Sequence, residues 1–271
     1  MKNFLIVAIS LLCIICAGCG QMKFNLIITD TGEVIRKWQF LGTAPFSQQI
    51  EDIKNKNKKL FPDIKIDTVV EGDMHGYEFT VRHPDIESFA RSTSELYGVH
   101  EGRNKGISRR QTWFFDEYDF DFWAENRNVN VPIGTTVNET LFSQVVYDCT
   151  INLPYAVDAT NADEILDGGK VLKWDLAPML IYGGEKSMQA RFKIWHKDKV
   201  FLTAAVELML LVATIFFLIK ARSTDSETLG KDFRFKRNVF AGLFVALTLI
   251  AAYLLFTPVA FTDADIISVA M

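Results

Sequence analysis

The chain has 271 residues, 49% of them hydrophobic, with 29 Lys and Arg against 33 Asp and Glu, a formal charge of −4. That balance excludes the strongly basic character of a nucleic-acid binder. Three of the four cysteines fall within the first nineteen residues, leaving Cys149 alone in the remainder, so an internal disulfide framework is excluded there.

Residues 1–19 have the three-part form of an export signal: one positive charge at Lys2, an apolar run over 4–17, then small residues. Ala17-Gly18-Cys19 matches a bacterial lipobox, in which small side chains admit the peptidase and the thiol of Cys19 becomes a thioether to diacylglycerol. Cys16 stands where Leu or Val is usual. The alternative is an uncleaved signal anchor with an incidental cysteine. An acylated Cys19 holds a protein at a membrane surface.

Residues 20–198 have the character of a soluble domain, long enough to bury a core. Phe24, Leu26 and Ile28 share a strand face, Asp30-Thr31-Gly32 is a turn, and residues 34–40 read as the hairpin partner. A helix starts at Ser47, with Ile50, Ile53, Leu60 and Phe61 on one side and Lys54, Lys56, Lys58 and Lys59 on the other. Ile64, Ile66 and Val70 form a strand, and Tyr77, Phe79 and Val81 return. Asp85 caps a second helix running to Tyr97. Residues 112–115 and 119–123 look like a short hairpin. Val145, Tyr147, Cys149, Ile151 and Leu153 alternate, as do Leu172, Trp174 and Leu176, and then Met188, Ala190, Phe192 and Ile194. Two helices among many strands give an α+β fold with an antiparallel, β-rich sheet.

Two runs, 200–219 and 239–256, are long enough to span a hydrocarbon core of about 30 Å. Residues 199–257 therefore read as two transmembrane helices with a basic loop at 220–237. Lys220, Arg222, Lys231, Arg234, Lys236 and Arg237 favour the cytoplasm for that loop, which puts 20–198 and the tail 258–271 outside, in agreement with the lipobox. Lys193, Lys197 and Lys199 before the first span weaken this bias without reversing it. Glu207 lies about two turns inside the first span. An intramembrane carboxylate points either to function or to a polar contact with the partner helix.

Two blocks carry a family resemblance. One is Lys23-Phe24-Asn25-Leu26-Ile27-Ile28 with Thr31-Gly32-Glu33-Val34. The other is Ile151-Asn152-Leu153-Pro154, Thr160-Asn161-Ala162 and Val171-Leu172-Lys173-Trp174-Asp175-Leu176. In these the chain resembles LppM-like bacterial lipoprotein domains over residues 24–193. The resemblance implies a lipobox, an extracytoplasmic β-rich domain and a terminal membrane span, with envelope-lipid or glycolipid interaction as the family-level expectation. Two spans here, where the family usually has one, are a departure.

No catalytic motif is present, and no cofactor or metal site is expected. The four histidines lack zinc spacing, and His75 and His83 read as surface residues. Cys149 lies on an apolar strand face and reads as a buried, inert thiol. The acidic run 116–121 reads as a solvated hairpin, with Asp119 and Asp121 on one strand face, and departs from the spacing of a calcium loop. Gly168-Gly169 and Gly183-Gly184 are turns without a phosphate loop, and Asn138-Glu139-Thr140 is a glycosylation sequon by pattern alone. Lys54, Lys56, Lys58 and Lys59 are the candidate binding residues, toward anionic lipid headgroups or an envelope polymer; an ordinary solvated helix face is the alternative. The reading is a non-catalytic membrane lipoprotein that binds an envelope lipid, polymer or membrane partner. An enzyme using the carboxylates of 116–121, and a structural subunit of a membrane complex, stay open.

Overall fold

The computed structural model describes residues 20–44, 47–97, 106–126, 146–223 and 226–257. They divide into two compact units. The first takes the described residues up to Ser108 and Tyr118–Phe192; the second takes Arg109–Glu117 and the described residues from Lys193 onward.

The first unit is built on a seven-stranded sheet. Its strands are β1 (Gly20–Ile28), β2 (Val34–Gly42), β3 (Lys65–Glu71), β4 (Met74–His83), β7 (Val146–Asn152), β9 (Glu164–Leu166) and β10 (Val171–Asp175). The order is β3-β4-β2-β1-β7-β10-β9. Neighbours are antiparallel except β1 and β7, which run parallel from Gln21↔Val146 to Ile27↔Asn152. The sheet is therefore mixed. A second sheet has the order β5-β6-β11-β8, from β5 (Gly106–Gln111), β6 (Phe115–Asn126), β8 (Ala159–Thr160) and β11 (Gly184–Trp195).

Local chemistry accounts for the elements. The β1–β2 turn closes with the Thr29 amide donating to Glu33 (2.9 Å) and the Gly32 amide to Thr29 (3.1 Å). Gly32 sits at φ +87°, which glycine adopts without a side-chain clash. Helix α1 (Ser47–Leu60) ends on Lys58 and Lys59, which suit the negative end of its dipole. Helix α2 (Ile86–Tyr97) is capped by Asp85, whose Oδ1 accepts from the Ser88 amide at 2.6 Å. A short third helix, α3 (Ala177–Tyr182), follows β10; six residues are too few to show a helical period in sequence.

One face of the seven-stranded sheet is apolar, and α1 packs there on β2 and β4, and α2 on β4. Val34, Phe79, Leu172 and Trp174 are fully buried on it. The other face carries a ladder of ion pairs: Lys23–Glu71 and Lys37–Glu78 at 3.0 Å, Lys173–Asp148 at 3.3 Å. In the second sheet Phe120, Phe192 and Met188 are buried. The Trp174 indole donates to Asn161 at 3.0 Å, and Asn161 in turn accepts from the Gln189 amide of β11.

Several expectations change. The segments 112–115 and 119–123 are not two strands of a hairpin: the turn is at 112–115, and the acidic run lies in the single strand β6. Asp116 is buried on that strand's inner face rather than solvated. His83 is buried, not a surface residue, because it closes the end of β4 under Phe89 of α2 (ring centroids 5.5 Å). Leu60 is exposed, whereas Phe61 turns inward against Trp38 at 5.7 Å.

The second unit contains α4 (Lys197–Ser223) and α5 (Glu227–Phe256). At 1.5 Å per residue they are about 40 and 45 Å long. They pack along each other, Phe217 stacking on Phe240 (5.3 Å) and Phe233 (6.3 Å). Both are long and apolar enough to cross a membrane. The basic stretch 220–237 is mostly helix, since only 224–226 separates α4 from α5. Glu207 is half-buried within α4, and the tail 258–271 lies outside the described residues.

Candidate functional site: a basic-edged aromatic strip

On the apolar face, register brings aromatic side chains of four strands together. Phe40 of β2 stands opposite Tyr77 of β4. Met22 of β1 faces Phe40 on one side and Tyr147 of β7 on the other. Phe24 lies 6.5 Å from Phe40 and 5.9 Å from Tyr147, ring to ring, and Phe40 and Tyr77 both meet the buried Phe79 at 6.0 and 6.4 Å. Phe24, Phe40, Tyr77 and Tyr147 are only half-buried. The result is a strip of half-covered rings across β4, β2, β1 and β7.

Helix α1 supplies the polar end of that strip. Lys54 Nζ sits 4.4 Å from the Tyr77 ring centroid and donates to the Tyr77 hydroxyl at 3.1 Å. It also pairs with Glu51 at 3.1 Å, and the Tyr77 hydroxyl donates a short hydrogen bond to Glu51. The Tyr77 bond, with Lys54 beside it, holds the Glu51 carboxyl below its ordinary range, and Tyr77 with Glu51 raises the Lys54 ammonium. The Lys54 ammonium, paired with Glu51, is thus fixed at one end of the strip. Of the four lysines read as binding residues, Lys54 alone packs on the sheet in this way; Lys56, Lys58 and Lys59 are exposed.

The remaining candidates lie elsewhere. Cys19 is outside the described residues, and so are His100 and the sequon Asn138. Cys149 is buried on β7, and burial pushes its thiol up to about 12, leaving it inert as a nucleophile. Asp119 pairs with Arg191 at 2.8 Å, and Asp121 accepts from Gln189 at 3.2 Å, so these carboxylates are held across to β11. Among the described residues no group of three or more His, Cys, Asp or Glu side chains is placed to hold a metal ion. His83 is kept neutral, its imidazolium form lowered to about 4 by burial and by Arg36.

Sequence reasoning placed Phe24, Tyr77 and Tyr147 on strand faces without joining them. Alternation tells which face a residue occupies; the partner strand is a separate matter. The signal that was available is chemical: aromatic residues at matching steps of strands that also carry the core.

No family model matches the chain, and no curated protein matches it. Among solved structures, the NMR structure of the folded domain of LppM from Mycobacterium tuberculosis is similar at 15% identity and a TM-score of 0.40. The alignment covers 67% of this chain and 93% of that one.

Proposed function

We propose that this protein is a membrane-anchored envelope lipoprotein whose domain 20–198 lies outside the cytoplasmic membrane and holds, without chemical turnover, an amphiphile with an anionic head. The observation that carries the ligand class is the half-buried aromatic strip ending on Lys54. Rings offer a large apolar contact at low entropic cost, and a fixed ammonium at one end matches a negative headgroup. The sequence supports the placement: the lipobox before Cys19, and the basic residues of 220–237 between two apolar helices. The buried thiol of Cys149 and the cross-strand pairing of Asp119 and Asp121 weigh against the enzyme reading.

The test is lipid analysis of the full chain purified from membranes in mild detergent. An anionic lipid enriched over bulk membrane lipid is expected, falling several-fold in Lys54→Gln and in Tyr147→Ala. A bound polymer or protein, with lipid at bulk composition, would overturn the ligand class. Intact mass of the same sample tests the anchor. A species starting at Cys19 with diacylglycerol mass, absent from Cys19→Ala, is expected; an unprocessed chain from Met1 overturns lipidation.

A further inference from the structure

The second unit contains a feature that neither the strip nor the spans account for. The turn at 112–115 is locked by Thr112, 1% exposed, whose hydroxyl donates to the Phe115 carbonyl (2.7 Å) and accepts from the Phe115 amide (3.0 Å). At its tip Trp113 is 40% exposed, a costly position for an indole in water. This tip is fastened to the start of α4. The His196 amide donates to Phe114 (2.7 Å), and the His196 ring lies 3.2 Å from the Trp113 carbonyl and 3.3 Å from Asp116, which pairs with Arg109 at 2.7 Å. The same hairpin reaches the end of α5, where Arg110 donates to the carbonyl of Phe256 at 3.2 Å. The tip is therefore joined to both the start of α4 and the end of α5. Cations cluster there: Lys199 lies 4.9 Å from the Trp113 ring centroid, and Lys193 lies 5.2 Å from that of Phe115. Across 109–117 and 193–199 there are five Lys and Arg against three Asp and Glu. Directly beyond them come Phe201, 72% exposed, and Tyr253, 64% exposed.

We infer that the 112–115 hairpin is a foot in the membrane interface: Trp113 sits among the headgroups of the leaflet that holds the start of α4 and the end of α5, and Lys199, with Arg110, binds the phosphate of an anionic phospholipid. The inference rests on the reading of α4 and α5 as membrane spans. Trp and Tyr favour that layer because one edge of each ring is apolar and the other polar, and Lys reaches from it toward phosphate. The lock at Thr112 and the fastening through His196 present the indole preformed, so little ordering entropy is lost on insertion.

The experiment reconstitutes the full chain in phosphatidylcholine vesicles, with or without phosphatidylglycerol, using lipids brominated near the headgroup or near the bilayer centre. Tryptophan quenching is compared between the wild type and Trp113→Phe. The expected result is a component quenched by headgroup-proximal bromine and absent from the variant, about one of the five tryptophans in size. Lys199→Gln is expected to lower the preference for phosphatidylglycerol by up to about fivefold while leaving the quenching in place. Carbonate extraction of the same vesicles separates the failures. Release of the protein overturns both the spans and the foot. A carbonate-resistant protein whose quenching is unchanged by Trp113→Phe overturns the foot alone, and an unchanged lipid preference in Lys199→Gln overturns the phosphate site.

Discussion

Along β11, Met188, Ala190, Phe192 and Ile194 are buried while Gln189 and Arg191 between them are exposed; along α4, Phe201, Leu202, Leu208, Met209, Val212 and Phe216 are all exposed. The strand hides its apolar side chains by alternation against its own domain. The helix has no such one-sided stripe, and α5 covers only part of it. The first pattern is complete within the protein, whereas the second leaves an apolar surface of the kind that suits an apolar solvent such as a lipid core. One composition, rich in Phe, thus serves two different environments, and substitutions of similar size should have separable effects in them.

The sharpest separation should come from Phe192→Ala. Its ring is fully buried against Phe120 at 5.0 Å and Tyr118 at 5.7 Å. A loss of about 3–5 kcal/mol in domain stability is expected, measured by urea unfolding of the detergent-solubilised chain, with carbonate-resistant membrane association retained. The reverse is expected of Leu211→Arg near the middle of α4. An insertion cost of about 2.5–3.5 kcal/mol should release a fraction of the protein from membranes, and the domain's urea midpoint should not move.

A charge introduced by protons rather than by mutation is the next step down. His83, at about 4, is depressed from an ordinary 6.5. The unfolded chain therefore binds a proton that the folded chain refuses between those values. Stability is full above about pH 6.5 and falls as pH drops toward 4, by on the order of 2–3 kcal/mol. His83→Phe, which keeps a ring against Phe89, should flatten that acid limb; an unchanged pH profile would show that the imidazole is not the group responsible. Asp85→Ala removes the cap of α2 and should cost about 1 kcal/mol in the same assay. The smallest effect belongs to Phe201→Ala, expected within about 0.5 kcal/mol of wild-type domain stability because the ring touches little protein.

Much of this was readable from residues, for local reasons. The Asp30-Thr31-Gly32 turn, the cap at Asp85 and the alternation of β7 and β11 each depend on neighbours in sequence. The two apolar helices depend on length and hydropathy. The parallel pairing of β1 with β7 was not readable, because either register partner would bury the same face of Phe24 and Leu26. The β5–β6 turn was misplaced because Asp116, Glu117 and Tyr118 look like a loop, whereas Thr112 makes the hydrogen bonds that close the actual one. Burial of Asp116 and His83 likewise depends on Arg109, His196 and Phe89, none of them identifiable as partners beforehand. At the candidate site the lysine helix was visible; that Lys54 alone would pack on Tyr77 was not.

The parallel pair also sets a timetable. β1 can bond to β2 within a few residues of being made, yet its other edge waits for a partner about 125 residues later in the chain. A nascent chain in that interval presents the bare edge of what will be a central strand, the kind of edge that recruits other chains. Such long-range closure is slow. Synthesis halted anywhere before residue 146 should therefore leave an aggregation-prone hairpin, and the cell has a reason to shield this segment until β7 arrives.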